Sequence, residues 1–567
     1  MSFIVNVDVA VPMRDGISLA TNVWRPDGPG PFPALLLRTP YGKDDAGTFG
    51  NPKLPDVFAF VGAGYAVVAQ DVRGTSRSPG TFVPGTHEGR DGADTLTWLS
   101  EQPWCDGRIG MWGGSYMGFT QWLAAVDAPP ALRAIAPAMS SADLYRAPWY
   151  SPGGALSEDT VLTWSTLSAL RNLRRAGGNG DAAALLSTLE DPGPLLTGRD
   201  AITRSLPWFG DVLGHPERDA FWQEVAAIDR CGDITVPALQ IGGWYDVFIG
   251  ETVRSYRTMR DHGGSEAARD GQRLVIGPWA HPDGMDLGTF PDRSFGLGGS
   301  IKAADVTGEH LRFFDRWVHG RAGDTHRVRI FVMGIDRWRD EEDWPLPDTS
   351  YTDVFLGGDG RANTVAGDGV LTRDAVPADA ADTFLYDPDR PVPTLGGTVL
   401  TGYPGPADQA AVETRDDVLC FTSAVLDAPV EVTGHVTLVL HASSSAPDTD
   451  FTGKLVDVHP DGRAILLCEG IQRARYRDSL TAPAFLEPGT VYELTVDMGV
   501  TSNVFLPGHR IRLEVSSSNF PRYDRNTNTG GTITTDTPAV AVNRVHHGPA
   551  HPSRLVLPLI ERTEAHT

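Results

Sequence analysis

The fold is decided by the stretch RIGMWGGSYMGFTQWLAA, which runs from Arg108 to Ala125. It opens as an apolar strand, continues through two glycines and Ser115, and then takes up helical spacing. A strand, a tight turn and a helix in this order are the context of a nucleophile elbow, which exposes a serine hydroxyl at the end of a strand. The usual elbow reads G-x-S-x-G, but here Met117 holds the second glycine position and Gly118 comes one residue late. Taken alone, Ser115 is read more readily as an ordinary helix N-cap.

The flanking sequence repeats an alternation of apolar strands and helices. Strand candidates are FPALLLRTPYG, GYAVVAQDVRG and LRAIAPAMS, and EGRDGADTLTWLSEQ has helical spacing. Nearly continuous apolar runs are typical of strands that helices cover on both faces. Strand, helix and strand in succession predict a parallel sheet with right-handed crossovers.

The 567 residues are too many for a single hydrophobic core. Their hydrophobic patterns divide the chain into three kinds of region. The alternating pattern covers residues 1–143 and resumes at 241–325, whereas residues 144–240 show only helical periodicity broken by Gly/Pro-rich links. Residues 326–567 consist of short alternating or β-branched runs. We expect an α/β catalytic domain, a helical cap domain inserted into it, and a C-terminal all-β domain, either a sandwich or a jelly roll.

Two later strands end in the other residues that a nucleophilic serine needs. Asp246 follows ALQIGGWY, and His281 follows RLVIGPWA. The order serine, acid, histidine is that of the α/β-hydrolase fold, and ligands bind at the carboxyl ends of the strands in open α/β sheets. We therefore predict that His281 accepts the proton of the Ser115 hydroxyl during attack and that Asp246 orients the imidazole.

A tetrahedral intermediate also needs hydrogen-bond donors for its oxyanion. The elbow supplies one in the backbone N–H of Tyr116, the residue after the nucleophile. The loop after the early strand PALLLRTPYGK lacks the HGGG pattern of lipases, but it carries Tyr41, whose phenolic hydroxyl is a candidate second donor. A packed aromatic ring without a chemical role is the other interpretation of Tyr41.

Composition limits the partners of the protein. Lys and Arg total 48 against 72 Asp and Glu, a net charge of −24, which repels phosphate backbones and anionic membrane surfaces. We therefore expect a small-molecule substrate and no nucleic-acid partner. We also expect no membrane partner, because no stretch of the sequence approaches the roughly 18 continuous apolar residues of a membrane span. The expected location is the cytoplasm. The oligomeric state stays open, with a homodimer as one option.

The sequence contains no motif typical of a metal or cofactor site. Neither Asp448 with Asp450 nor the pair His546 and His547 has the spacing of a calcium or zinc site. No glycine-rich nucleotide loop occurs. We therefore expect neither a metal nor a cofactor.

Several motifs together resemble one family. The segments RTPYGK, DVRGTSRSPGTF, GGSYMG, GGWYDVF and GPWAH, followed by an all-β C-terminal part, are similar to the cocaine esterase-like group of serine hydrolases. This group also includes Xaa-Pro dipeptidyl-peptidases and α-amino acid ester hydrolases. The resemblance spans essentially the whole chain, and the group's elbow reads G-x-S-Y-x-G, which accommodates Met117 and Gly118.

The resemblance implies an α/β-hydrolase fold with a helical cap and a jelly roll, and a serine hydrolase that cleaves esters through an acyl-enzyme intermediate. It implies that the triad and oxyanion residues identified above take the corresponding roles. It also implies an aromatic acyl pocket for small aryl or acyl esters, lined by Trp164 of the cap and Phe248 beside the acid.

Two other functions stay open at this point. A peptidase or amino-ester hydrolase of the same group would hold a substrate ammonium with carboxylates near the acyl pocket, and Glu158, Asp159 and Glu251 are candidates for that role. A non-catalytic protein that binds its ligand through the jelly roll is the alternative from a different class. The presence of all three triad residues argues against it.

Overall fold

The computed structural model describes residues 2–45, 54–178, 181–190, 199–282, 287–321, 326–532 and 537–562. Within them, the first sheet has ten strands, which are β1 (Phe3–Pro12), β2 (Ser18–Pro26), β3 (Phe32–Thr39), β4 (Ala66–Asp71), β5 (Cys105–Gly114), β6 (Leu132–Ala138), β7 (Leu239–Tyr245), β8 (Arg273–Ala280), β9 (Val328–Val332) and β10 (Arg337–Glu341). Their spatial order is β1-β2-β4-β3-β5-β6-β7-β8-β9-β10. The seven strands from β4 to β9 in this order pair in parallel, and β1, β2 and β10 are antiparallel additions at the edges.

Helices cover both faces of this sheet, as the apolar strands predicted. They are α1 (Val57–Gly62), α2 (Glu88–Ser100), α3 (Tyr116–Val126), α4 (Glu158–Arg175), α5 (Ala182–Glu190), α6 (Arg199–Ser205), α7 (Trp208–Gly214), α8 (Ala220–Gln223), α9 (Ile249–His262), α10 (Glu266–Asp270) and α11 (Val306–Phe314). One core joins α2 and α3 to the sheet, and a second core joins α1 and α11 to the opposite face. None of the described helices is long and apolar enough to cross a membrane.

The helices α4 to α8 follow one another between β6 and β7, and no strand separates them among the described residues of 144–238. Their apolar side chains are not a separate core. Val161 of α4 and Phe209 of α7 belong to the same buried cluster as Phe119 and Trp122 of α3. The helical segment is therefore packed directly onto α3, the helix that follows Ser115.

The C-terminal part is built from strands alone over most of its length. Its eleven described strands are β11 (Thr349–Gly357), β12 (Val370–Thr372), β13 (Ala380–Tyr386), β14 (Leu419–Thr422), β15 (Val430–Ser444), β16 (Asp450–Val458), β17 (Ala464–Arg473), β18 (Tyr492–Phe505), β19 (Arg510–Ser516), β20 (Ala541–His547) and β21 (Arg554–Ile560). The order is β13-β20-β15-β21-β11-β12-β14-β19-β16-β17, with β18 paired to β15. An all-β C-terminal domain follows the sequence expectation.

The first sheet continues beyond the boundary expected at residue 325. The segment RVRIFVMG, which we assigned to the all-β domain, forms β9 and pairs in parallel with β8. Val328, Ile330 and Phe331 are fully buried in a core shared by both domains. An isolated short apolar run fits either a parallel or an antiparallel sheet, so its sequence could not assign this strand to one domain.

Candidate active site

Ser115 lies at the turn between β5 and α3 in a strained conformation. Its φ and ψ are 58° and −130°, a region that residues other than glycine rarely occupy and that is found at functional turns. The backbone N–H of Ser115 donates to the carbonyl oxygen of Ala138, at 2.9 Å. Its hydroxyl makes no capping hydrogen bond to the helix, which excludes the N-cap interpretation and leaves the side chain for another partner.

Gly118 is required where the turn packs against the end of β6. A Cβ atom at Gly118 would lie 2.5 Å from the Cβ atom of Ser140, closer than two carbon atoms can approach without a shift. Met117 points elsewhere and is buried among apolar side chains. The close contact in this chain therefore falls three residues after Ser115, and this explains why its glycine pattern is displaced.

Ser115, His281 and Asp246 form a continuous hydrogen-bonded chain. The Ser115 Oγ lies 3.1 Å from the His281 Nε2, and the His281 Nδ1 lies 2.7 Å from the Asp246 Oδ2. A proton on Nδ1 that is donated to the carboxylate leaves Nε2 as the acceptor for the serine hydroxyl. This is the arrangement that general-base activation of a serine requires.

The acid is held in place by its own turn. Asp246 is completely buried, and its second oxygen, Oδ1, accepts a hydrogen bond of 2.8 Å from the backbone N–H of Phe248. Tyr245 at the end of β7 pairs with Ala280 at the end of β8. Asp246 and His281 therefore follow two adjacent parallel strands at the same edge of the sheet. The sheet register therefore sets the distance between the two side chains.

Tyr41 and Tyr116 are linked through Trp164. The indole N–H of Trp164 donates to the Tyr41 hydroxyl at 3.1 Å, and the Trp164 ring stacks on the Tyr116 ring, with centroids 5.9 Å apart and planes at 15°. Because the Tyr41 hydroxyl accepts this hydrogen bond, its own proton stays available for donation to another acceptor. As the first residue of α3, Tyr116 has a backbone N–H that lacks an intrahelical partner.

A buried carboxylate, which sequence reasoning missed, anchors the Tyr116 side chain. The phenol donates to the Glu88 Oε1 at 2.9 Å and accepts from the backbone N–H of Gly85 at 3.1 Å. Burial raises the pKa of both Tyr116 and Glu88. The helical pattern of EGRDGADTLTWLSEQ gave no sign that its first residue would face the elbow.

Trp164 and Phe248, which are predicted to line an acyl pocket, both contact aromatic rings. Trp164 lies within a cluster of rings whose centroids are 5.3 to 6.3 Å from its own; they belong to Phe82, Trp149 and Trp208. The Phe248 ring meets the His281 ring edge-on at 5.3 Å. The assignment of Trp164 and Phe248 to a substrate pocket stays a prediction, and the rings around Trp164 come from separate segments of the chain.

The C-terminal domain also reaches this region. Leu400 packs against the small cluster that contains Phe248, and its backbone N–H donates to the Asp159 Oδ2 at 2.6 Å. The hydroxyl of Thr401 donates to the other oxygen of Asp159. The first turn of α4 thereby fixes a loop of the C-terminal domain beside the triad.

A cleft of about 790 Å³ opens beside Tyr41. Phe82 and Trp208 form part of its wall, and α4 contributes Arg171 and Arg174. The Arg171 guanidinium lies over the Tyr41 ring, 5.1 Å from its centroid. The opening toward the candidate oxyanion donor is therefore aromatic and basic, in a protein that is acidic overall.

Comparisons with known proteins agree with this geometry. Residues 15–283 match the model of the X-Pro dipeptidyl-peptidase (S15) family, and residues 320–556 match its X-Pro dipeptidyl-peptidase C-terminal non-catalytic domain. The chain is 49% identical over 574 residues to the cocaine esterase of Rhodococcus sp. (strain MB1 Bresler), covering 98% of each chain.

Solved structures of two other enzymes are similar over nearly their whole length. An α-amino acid ester hydrolase superposes with a TM-score of 0.82 at 27% identity, covering 98% of this chain and 97% of that one. An aminopeptidase from a marine sediment Thaumarchaeota archaeon superposes with a TM-score of 0.81 at 27% identity, covering 99% and 97%. The chain therefore belongs to the X-Pro dipeptidyl-peptidase (S15) family, in its cocaine esterase-like (CocE/NonD) group of serine hydrolases.

Proposed function

We propose that this protein hydrolyses carboxylic esters through an acyl-enzyme intermediate on Ser115. The observation that carries the proposal is the hydrogen-bonded chain from the Ser115 Oγ through His281 to Asp246, with distances of 3.1 Å and 2.7 Å. A serine held at positive φ, with its hydroxyl directed to an imidazole and not to its own helix, serves no capping purpose.

In the proposed reaction the Ser115 oxygen attacks the ester carbonyl carbon while the His281 Nε2 takes its proton. Asp246 stabilises the resulting imidazolium, and the N–H of Tyr116 and the hydroxyl of Tyr41 donate to the oxyanion. His281 then returns the proton to the departing alkoxide, which leaves as the alcohol. Water repeats the sequence on the acyl-enzyme and releases the carboxylic acid.

The carboxylates that could have held a substrate ammonium have other roles. Asp159 accepts two hydrogen bonds from the C-terminal domain, and Glu251 forms ion pairs of 3.0 Å with Arg146 and 2.8 Å with Arg254. Burial raises the pKa of Glu158 well above its ordinary value, which favours its uncharged form. These contacts favour an ester without an α-ammonium over an amino ester or an Xaa-Pro peptide.

We further propose that Trp164 and Phe248 line an acyl pocket for small aryl or acyl esters. Two contacts support this proposal: Trp164 stacks on Tyr116, and the Phe248 ring meets the His281 ring. Sequence similarity to a cocaine esterase supports an aromatic acyl group. In domain terms, α4 to α8 would act as a cap over the pocket, and β11 to β21 as a jelly roll that completes its wall.

A substrate panel tests the proposal. We expect kcat/KM for phenyl and 4-nitrophenyl esters to exceed that for Ala-Pro-anilide, and Ser115→Ala to abolish turnover of all of them while circular dichroism stays native. Faster cleavage of the anilide would assign the protein to the peptidase branch of the family. Unchanged ester turnover in the alanine variant would remove Ser115 from the mechanism.

A further inference from the structure

Three metal-binding side chains meet on the C-terminal domain, namely Asp457, His459 and His509. Their ligand atoms all lie within 4.8 Å of one another. The strands β16 and β19 pair so that Val458 lies opposite Arg510. This pairing brings together His459, the residue after β16, and His509, the residue before β19. Their ring centroids are 4.4 Å apart. None of these residues takes part in the reaction proposed above.

Hydrogen bonding does not account for the whole arrangement. The Asp457 Oδ1 and the His509 Nδ1 are 2.8 Å apart, a normal hydrogen bond, but the Asp457 Oδ2 and the His459 Nε2 are 3.9 Å apart, too far for one. Two ligands of one zinc-like ion, each about 2.0–2.2 Å from the metal, are separated by roughly 3–4 Å. The 3.9 Å between the Asp457 Oδ2 and the His459 Nε2 lies within this range, whereas the 2.8 Å contact of Asp457 with His509 would lengthen when an ion binds between them.

The local charge balance also suits a cation. Asp457 is only 5% exposed, and a buried carboxylate needs a compensating charge. The two arginines that line the same cleft have carboxylate partners of their own, Arg463 with Asp461 at 2.9 Å and Arg293 with Asp336 at 2.7 Å. Among the described residues, the ion-pair partners of Asp457 are therefore the two histidines and neither of these arginines, so a cation held between the three groups would supply positive charge at this carboxylate.

The three side chains line a cleft through which a metal ion can reach them, and a hydrogen bond fixes the hairpin that carries His459. The backbone N–H of His459 donates to the carbonyl oxygen of Arg463 at 2.8 Å, which fixes the hairpin, and the site opens onto a cleft of about 340 Å³. On the same cleft, the Asp336 Oδ1 is buried and lacks a hydrogen-bond partner among the described residues.

We propose that Asp457, His459 and His509 bind one divalent transition-metal ion of the zinc class, with water completing its coordination. One carboxylate and two imidazoles are ligands that zinc, cobalt and nickel accept, and a metal-bound water could donate to the free oxygen of Asp336. The ion would join the β16–β17 hairpin to the start of β19. This reverses our sequence-based expectation of no metal.

Cobalt titration of the full-length protein tests the site. After dialysis against a chelator, we expect one Co²⁺ per chain to bind with the visible absorption of a low-coordinate nitrogen and oxygen site, and Zn²⁺ to displace it. Asp457→Asn and His509→Ala should each weaken Co²⁺ binding more than about 100-fold. This is a larger loss than the roughly 10–100-fold expected when the replaced residue only hydrogen-bonds to a metal ligand. Circular dichroism and ester turnover report whether each variant folds, and His459→Gln on the partly exposed hairpin replaces any variant that does not.

The matched control is His546→Ala, because His441, His546 and His551 form another histidine cluster on the same domain, with ring centroids 5.4 and 5.6 Å apart. We expect this variant to bind Co²⁺ like the parent. The proposal is overturned if the parent protein binds no stoichiometric Co²⁺ or if binding survives in the Asp457, His459 and His509 variants. It is equally overturned if only His546→Ala abolishes binding.

Discussion

Replacement of Tyr41 by phenylalanine separates the hydroxyl of this residue from its ring. The ring should keep its place, because Arg171 lies over its face and phenylalanine preserves that contact. Two interactions are lost: the proposed donation to the oxyanion, and the acceptor of the Trp164 indole N–H at 3.1 Å. The first affects the rate and the second affects stability, so they can be measured independently.

The expected magnitudes differ for the two effects. Loss of one oxyanion donor lowers kcat by about 10²–10³, which corresponds to about 2.7–4 kcal/mol of transition-state stabilisation. Loss of the acceptor leaves a half-buried indole N–H, which costs about 1 kcal/mol of unfolding free energy because water can partly replace the partner. The variant should therefore be slow but folded.

The control is Trp164→Phe, which removes the N–H and keeps the Tyr41 hydroxyl. We expect its kcat to fall by no more than about tenfold, because the hydroxyl of Tyr41 remains as a donor. Its stability should fall by more than that of Tyr41→Phe, because the smaller ring also leaves a cavity beside Trp149 and Trp208. Steady-state hydrolysis of a 4-nitrophenyl ester gives kcat, and urea unfolding gives stability. The double variant should be less destabilised than the sum of the single ones, since both remove the same hydrogen bond.

A kcat within about threefold of the parent for a folded Tyr41→Phe protein would refute the assignment of Tyr41 as an oxyanion donor, because loss of such a donor lowers kcat by about 10²–10³. Equal losses of kcat in Tyr41→Phe and Trp164→Phe would also contradict it. That result would mean that the hydrogen bond between the two residues, and not the proton offered to the substrate, is what catalysis needs.

Other expectations follow from the same contacts. Asp246→Asn should lower kcat by about 10⁴ in the ester assay, since an amide favours the wrong imidazole tautomer; a loss below tenfold would contradict its role. Gly118→Ala should reduce the free energy of unfolding in urea by roughly 1–3 kcal/mol through overpacking against Ser140, and an unchanged midpoint would show that the turn can relax. Burial alone would raise the pKa of Asp497, but the hydrogen bond from His435 lowers it from 3.8 to about 2. This carboxylate therefore stabilises the fold above pH 4 and loses its contribution as the pH falls toward 2. Because the side chain is 31% exposed, we expect at most about 2 kcal/mol, and acid unfolding of Asp497→Asn should show a correspondingly flatter pH dependence.

The parallel sheet and the triad could be predicted because their signals are local. Each triad residue directly follows a strand that is recognisable from its apolar run, and parallel strands place their carboxyl ends at one edge of the sheet. The displaced Gly118 was explained from the sequence only by the family resemblance, and the structure adds the physical reason, its close contact with Ser140. For the triad, the apolar strand that the sequence shows and the catalytic side chain that it positions are adjacent in the chain.

Features that depend on distant segments could not be predicted. Glu88 reaches the elbow from another helix, and Leu400 reaches Phe248 from the other domain. The proposed metal ligands Asp457 and His509 are 52 residues apart, and they meet only through the pairing of two strands. Neither periodicity nor motif spacing records such contacts, because they are set by sheet order and domain packing.

The loop that Asp159 anchors has a consequence for how this family can diversify. Leu400 belongs to the segment that matches the family's non-catalytic domain, residues 320–556, although it packs beside the triad. Recombination that exchanged this domain between relatives would therefore replace the residues that pack against Phe248, on one side of the proposed pocket, and would leave Ser115, Asp246 and His281 intact. Gene shuffling at this junction offers a route to a new substrate range, provided that the incoming loop retains a partner for the carboxylate on α4.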